Sequence, residues 1–320
     1  MQTNTMTEGQ IQAAKKNVMP GSKKKLWFYL SIMIFPILQF IVFYIIVNFN
    51  SLLLSFKQYE VIENGVIIEH FVGISNIINK YIEIFTAEQF IYCWKNSVLF
   101  YGVTTLSGTV FSLAFSYYIY KKGVLGNFFK IMLYLPHIVS GMVVTVMYKY
   151  FTEKGLPILA EQFLGITVPG FGENDTMKIT YVMIYMFVLN FGANMLVYTG
   201  TMAGISDSII EAGQIDGANR VQEFFHIIMP SIFSTFALFV ITGMITIFNG
   251  QGNLFNFFGM DAPIELRTFG YYMYIMVKDA GINYVKYPPL ASLGMCLTFI
   301  AIPLIFTLRA LLNKFGPKED

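Results

Sequence analysis

Charge is scarce in this chain. Asp, Glu, Lys and Arg make up 12% of its 320 residues, against about a quarter in an ordinary soluble domain. That shortage, with 55% hydrophobic residues and a mean hydropathy of +0.58, excludes a water-soluble globule and places the chain in the membrane class. A net charge of +2 gives no strong field toward nucleic acid. Cysteine is nearly absent. Cys93 and Cys296 are the only two, too few for a disulfide framework. They read as unpaired buried thiols at different depths, one near the end of a loop and one inside an apolar run. Histidine is equally sparse, and His70, His137 and His226 are scattered, so no cluster has metal-ligand spacing. Also missing is G-x-x-x-x-G-K-[ST], the loop whose amides and lysine cradle phosphates. Gly21-Ser22-Lys23 lacks its first glycine. The residues therefore suggest no catalytic group, no metal and no nucleotide site in this chain.

What the chain has instead is long apolar runs. Six stretches carry no Asp, Glu, Lys or Arg: Leu26–Phe56, Asn96–Tyr120, Ile131–Tyr148, Ile179–Ser206, Ile227–Met260 and Tyr287–Leu308. A bilayer core about 30 Å thick needs roughly 20 apolar residues in a helix. Each run is close to one span or longer, too long for the alternating strands of a barrel. The reading is an all-α integral membrane protein with six transmembrane helices over 27–49, 94–120, 131–150, 179–201, 231–250 and 288–312. The first run is too long for a signal-peptide core and reads as a retained helix. Pro36, Pro136 and Pro303 fall inside spans, where each predicts a kink. The 20 Tyr and 32 Phe suit interface belts and a packed bundle.

An even number of spans puts both ends on one side. With the tails, the 121–130 loop and the 201–230 loop on that side, it holds 12 of the 21 basic and 7 of the 19 acidic residues. The net charges are then +5 there and −3 opposite, so the positive-inside rule places both termini in the cytoplasm. The chain divides into a cytoplasmic tail over 1–25, a membrane domain over 26–312 and a second tail over 313–320. Within the membrane domain lie an external loop near 50–93 and a cytoplasmic loop near 202–230. β-Branched runs on either side of Asn64-Gly65 predict a small hairpin in the external loop. The stretches near 151–178 and 251–287 read as polar loops. No internal repeat and no separate soluble domain is visible.

The cytoplasmic loop from Ser206 to Pro230 is the most informative segment. Ser208 followed by Glu211 fits a capping box that opens a short helix. Gly217 supplies a stop or sharp turn. A second helical stretch then carries Val221, Phe224, Phe225 and Ile228 toward Pro230. Two short helices laid across the membrane face, between two spans, are shaped to press on something else; an amphipathic turn lying on the surface has the same pattern.

Glu211-Ala212-Gly213, Asp216-Gly217-Ala218, Phe224, Ile228 and Pro230 closely resemble the EAA loop of ABC importer permeases. Gly213 stands where that loop has its second Ala, and Met229 where it has Leu. The Asp-Gly-Ala form is similar to that of carbohydrate-uptake permeases of the maltose and glycerol-phosphate type. Trp94-Lys95-Asn96-Ser97, Tyr134-Leu135-Pro136-His137-Ile138-Val139-Ser140 and Thr242-Gly243 with Phe248-Asn249 resemble other elements of the family. The Leu-Pro-His-Ile form is like that of permeases for polysaccharides and oligosaccharides. The usual Gly-Gly-Pro after the fifth span is absent, and Gln251-Gly252-Asn253 stands nearby.

The resemblance implies a type I ABC importer permease fold and a multi-pass protein of the bacterial cell membrane. It implies that Glu211, Ala212, Gly213, Asp216, Gly217, Ala218 and Pro230 form the contact with a cytoplasmic ATPase. The expected partners are a second, homologous permease, two copies of an ATP-binding subunit, an extracellular solute-binding protein, a carbohydrate and the bilayer. ATP and Mg would be bound by the ATPase subunits. Sugars offer C–H faces and hydroxyls, so uncharged polar and aromatic groups within spans are the candidates for the pathway. These are His137, Ser140, Asn190, Asn194, Tyr198, Asn249 and Gln251, although a hydrogen bond between helices is the plainer reading of each. A secondary transporter or channel would carry mid-span carboxylates or paired broken helices, and an intramembrane enzyme a catalytic cluster. An ABC permease for another small solute is the remaining alternative.

Overall fold

A backbone immersed in hydrocarbon must close its hydrogen bonds within each segment, and the helix does this locally. In the computed structural model, residues 25–62, 67–170, 172, 177–281 and 283–317 are described, and helices make up most of them. The tails at 1–24 and 318–320 and the Asn64-Gly65 turn lie outside the described residues.

α1 (Lys25–Leu54) is a single apolar helix that continues through Pro36, with a π-helical turn at Ile41–Ile46. None of its residues is buried. The predicted hairpin follows: β1 (Lys57–Val61) pairs antiparallel with β2 (Ile67–Phe71), in a register that sets Tyr59 opposite Glu69. Lys57 and Glu69 form an ion pair of 2.5 Å across it. After α2 (Ser75–Thr86) come α3 (Glu88–Tyr120) and the broken pair α4 (Gly126–Ile138) and α5 (Gly141–Leu164). Then come α6 (Lys178–Met202), α7 (Asp207–Ile215), α8 (Arg220–Ser231) and α9 (Phe233–Asn249). α10 (Leu254–Phe258), α11 (Phe269–Ala280) and α12 (Tyr284–Phe315) complete the chain.

Among the described residues, four helices, α1, α3, α6 and α12, are each long and apolar enough to cross a membrane; the number reaches six if each bent pair counts as one span. The third expected span, 131–150, is not one helix. α4 and α5 meet at 103°, because Val139 and Ser140 are extended. Pro136 removes one amide from the last turn of α4, and the chain turns three residues later. Pro303, by contrast, sits inside an unbroken α12. The fifth span is shorter than its charge-free run: α8 lies at 73° to α9, and only α9 continues toward the far side. The stretches read as loops near 151–178 and 251–287 contain the end of α5, α10 and α11.

Close crossings hold the bundle. α6 lies against both α3 and α4 through glycines. A Cβ on Gly108 would fall 2.8 Å from the amide of Asn194, and one on Gly192 would collide with the Leu133 backbone. Small residues allow such approach where no hydrophobic effect drives helices together. Polar side chains bridge the crossings: Asn194 donates to the Gly108 carbonyl (2.9 Å) and Ser116 to that of Met195 (2.9 Å). At one end, Asn96 donates to the carbonyls of Glu265 (2.6 Å) and Arg267 (3.2 Å). Ser97 accepts from the Phe269 amide at 3.2 Å. These bonds seat the connection after α10 on the start of α3. Cys93 and Cys296, expected at different depths, are both buried in one apolar cluster with Phe90, Phe248 and Phe269, and both are free thiols.

Candidate functional site

At the opposite end, the chain between α6 and α9 forms a rigid hook. α7 begins after Ser206, whose hydroxyl contacts that of Ser208 at 2.8 Å and caps no amide. The expected capping box at Ser208 and Glu211 is therefore absent. It occurs one helix later. Asn219 accepts from the amides of Val221 (3.0 Å) and Gln222 (2.9 Å), and Gln222 accepts from the Asn219 amide at 2.9 Å. Asn-x-x-Gln carries that signal in the sequence as clearly as Ser-x-x-Glu.

Gly217 does close α7. Its φ of +84° is the left-handed conformation that side chains disfavour. The Ala218 amide bonds to the Gly213 carbonyl (3.0 Å) and the Gly217 amide to that of Gln214 (3.1 Å), which is the Schellman closure. Gly213 has a packing role. A Cβ there would strike the tip of Ile227 on α8, so the glycine lets the two arms of the hook close on each other. Pro230 is half-buried near the end of α8, just before the bend at Ile232.

Of the residues implied to meet an ATPase, Glu211, Ala212, Asp216 and Gly217 are exposed, while Gly213 and Ala218 are half-covered. Beside them Ile209 is exposed, and Ile215 is 86% exposed. Asp216, Gly217, Ala218, Gln222, His226 and Ile227 line a shallow pocket of about 290 Å³. Inward, Ile210, Ile228 and Ile232 pack with Leu113, Tyr198 and Met202 and fix the hook to α3 and α6.

Glu223 is the residue that sequence reasoning passed over. It is 3% exposed, at the root of α8. One carboxylate oxygen pairs with Lys121 at 2.5 Å and lies 3.2 Å from the Tyr117 hydroxyl. The other accepts from Gln214 of α7 at 3.3 Å. Tyr117 also reaches the Arg220 carbonyl at 3.0 Å. Burial by itself would raise the carboxyl, but the bonds from Lys121, Gln214 and Tyr117 outweigh it and hold it below the ordinary carboxylate value. With Arg220 and Gln222 beside it, nothing in the sequence separates it from a solvated acid.

The pathway candidates separate into groups. Asn190 lines a cavity of about 130 Å³ between α3, α6 and α9, with Ser97, Phe100, Tyr101, Thr104, Met186, Thr246, Gly250, Gly252 and Thr268. Asn249 and Gln251 are the chain neighbours of Gly250 and are not among the residues that line it. His137 and Asn194 serve helix crossings, His137 accepting from the Ala193 amide at 3.1 Å. Ser140 is exposed at the break between α4 and α5. Tyr198 is fully enclosed in the cluster at the hook. Ser97, Tyr101, Thr104, Thr246 and Thr268 were not among the pathway candidates named from the sequence. Only the convergence of three helices brings them together.

The lining is uncharged, and its hydroxyls, amides and aromatic rings can bind a neutral polar solute. The hook offers an exposed apolar and acidic edge backed by a fixed core. Together they define a multi-pass helical membrane protein with an uncharged cavity near one end and an exposed helical hook at the other. No family model matches the chain. It is 27% identical over 181 residues to a probable ABC transporter permease, the MG188 homolog of Mycoplasma pneumoniae, covering 52% of this chain and 55% of that protein. It is 28% identical over 202 residues to the probable ABC transporter permease YesP of Bacillus subtilis, covering 61% of each. The matches thus span somewhat over half the length of these curated relatives. In structure it resembles a chain of a bacterial alginate ABC transporter solved with an alginate pentasaccharide-bound periplasmic protein. The TM-score is 0.71 at 16% identity, covering 94% of this chain and 99% of that one. The chain is a homologue of ABC transporter permeases and has the fold found in that alginate transporter.

Proposed function

We propose that the chain is a permease subunit of an ATP-driven importer for a carbohydrate, most in keeping with an oligosaccharide or polysaccharide fragment. α7, with the turn at Asp216-Gly217-Ala218, is the contact seated on a cytoplasmic ATPase. The observation that carries this reading is the hook itself: a stiff helix-turn-helix, closed at Gly217 and packed behind, that presents Ile215 almost bare. Ile215 with the exposed Ile209 of the same helix gives the hook an apolar edge, the kind of surface that meets a partner.

In this reading the chain crosses the membrane six times, with α4–α5 counted as one broken span and α9, entered from the hook at α8, as another. Lys121 contacts Glu223, so the loop after α3 and the hook share one end of the bundle. Gly316, after α12, lies against Phe233 at that end. Their basic residues support a cytoplasmic assignment for it and for both termini. ATP and Mg are bound by the partner subunits, whose closure moves the hook and re-orients the helices around the cavity. At about 130 Å³ the cavity is smaller than typical ligand sites of about 300–1,000 Å³, so a second permease and helix movement complete the passage. An external binding protein delivers the solute.

The test is an Ile215→Cys variant in membranes of the host bacterium, labelled with a short maleimide photo-crosslinker and irradiated. The expected product is a cross-link to a nucleotide-binding subunit. Recovery of no such subunit, or modification of the introduced thiol by an impermeant reagent from outside the cell, refutes the reading.

A further inference from the structure

Among the buried described residues, Glu223 is the single charged side chain. Core packing at the hook does not need it, since Ile210, Ile228 and Ile232 already supply that. Charges in such positions cost desolvation that a hydrophobic residue avoids. What the carboxylate does provide is direction. It holds three elements at once: Gln214 of α7, its own helix α8, and Lys121 and Tyr117 at the end of α3. α3 is also the helix that brings Ser97, Phe100, Tyr101 and Thr104 to the central cavity. Tyr117 lies 16 residues beyond Tyr101, or about 24 Å along a helix. Between them α3 has a π-helical turn at Leu106–Phe111, where the Gly108 carbonyl takes the bond from Asn194 of α6.

We propose that Glu223 is a positioning residue that clamps the docking hook to α3, so that displacement of α7 is delivered to the cavity wall through this helix. The proposal rests on the reading of α7 as the ATPase contact and adds the route by which force leaves it. Apolar contacts between the hook and the bundle can slide. The buried ion pair with its two further hydrogen bonds fixes the distance and angle between α7, α8 and α3. α3 then pivots where it crosses α6 at Gly108.

The experiment uses the complete transporter in proteoliposomes, with Thr104→Cys as a reporter in the cavity wall of every sample. The measured quantity is the change in the rate of labelling by a maleimide when ATP and vanadate are added. With Glu223 intact the rate should change. In E223Q the change should shrink about tenfold, the scale of an ordinary coupling free energy, while the cross-link to the ATPase subunit that I215C forms persists in parallel samples. The charge-swapped pair K121E/E223K should restore at least part of the change, which a merely structural role does not predict. If E223Q fails to assemble, K121M carries the test, because Lys121 is partly exposed and its loss leaves the carboxylate two hydrogen bonds. An unaltered rate change in either assembled variant overturns the clamp alone. A missing I215C cross-link with Glu223 intact overturns the functional reading and the clamp with it.

Discussion

Gly192→Ala tests whether α4 and α6 cross as closely as described. A methyl group at this position would lie within 3.0 Å of the Leu133 carbonyl carbon and closer still to its oxygen, with His137 Cδ2 at 3.1 Å. Carbon contacts settle near 3.5 Å, and the obstacle is backbone, which no rotamer change can remove. The helices must therefore part by roughly 1 Å, an overpacking cost of about 1–3 kcal/mol. The same movement stretches the 3.1 Å bond from the Ala193 amide to His137, which adds about 1 kcal/mol. A loss near 3 kcal/mol should lower the melting temperature of the purified protein by about 6 °C or more, read by thermal unfolding in detergent. Gly200→Ala is the control on the same helix. Its Cβ would meet nothing within 4 Å, and alanine favours a helix over glycine by about 0.5–1 kcal/mol. If the Gly192 and Gly200 variants melt together, the close crossing is wrong.

Three more outcomes follow from the hook and its surroundings. Gly217→Val meets no steric obstacle but forces a side chain into φ +84°, at about 1–2 kcal/mol; the bundle should stay folded while ATPase stimulation falls, and unchanged stimulation counts against the turn as a contact. The Tyr198 hydroxyl is buried with no hydrogen-bond partner among the described residues, so Tyr198→Phe should melt no lower and should transport normally; lost uptake in a stable variant would instead place the hydroxyl on the pathway. Glu223 has a folded value below the ordinary 4.5, so its contribution is complete above that pH and disappears as pH falls through the lower value. The melting difference between the unaltered protein and E223Q should then be constant from about pH 8 to about pH 5 and close at stronger acidity; a difference that persists there would show that the ion pair is not its source.

Much of the architecture was legible because hydrocarbon permits so little. Charge-free runs of sufficient length must be helices, and the boundaries of α3, α6 and α12 fall within a few residues of the expected ones at the end that carries the hook. The hairpin and the glycine turn at Gly217 were legible for a local reason, since both depend on short stretches of backbone preference. The break between α4 and α5 was not. Pro136 announces a kink, but its size and its displacement to Val139–Ser140 depend on what α6 offers, including the Ala193 amide that His137 accepts. The capping box was misplaced because Ser208–Glu211 and Asn219–Gln222 have equivalent patterns, and the fold engages only the second.

The docking segment was visible as a contiguous string of residues, whereas the cavity was not, because its walls come from positions as distant as Ser97, Asn190 and Thr268. Composition by itself determined that this chain lives in a membrane as helices, since buried backbone groups leave no cheaper arrangement. Only tertiary structure decided which polar groups meet: Glu223 reads in sequence like any solvated acid, and it becomes a buried junction because α3 ends with Lys121 and Tyr117 opposite it.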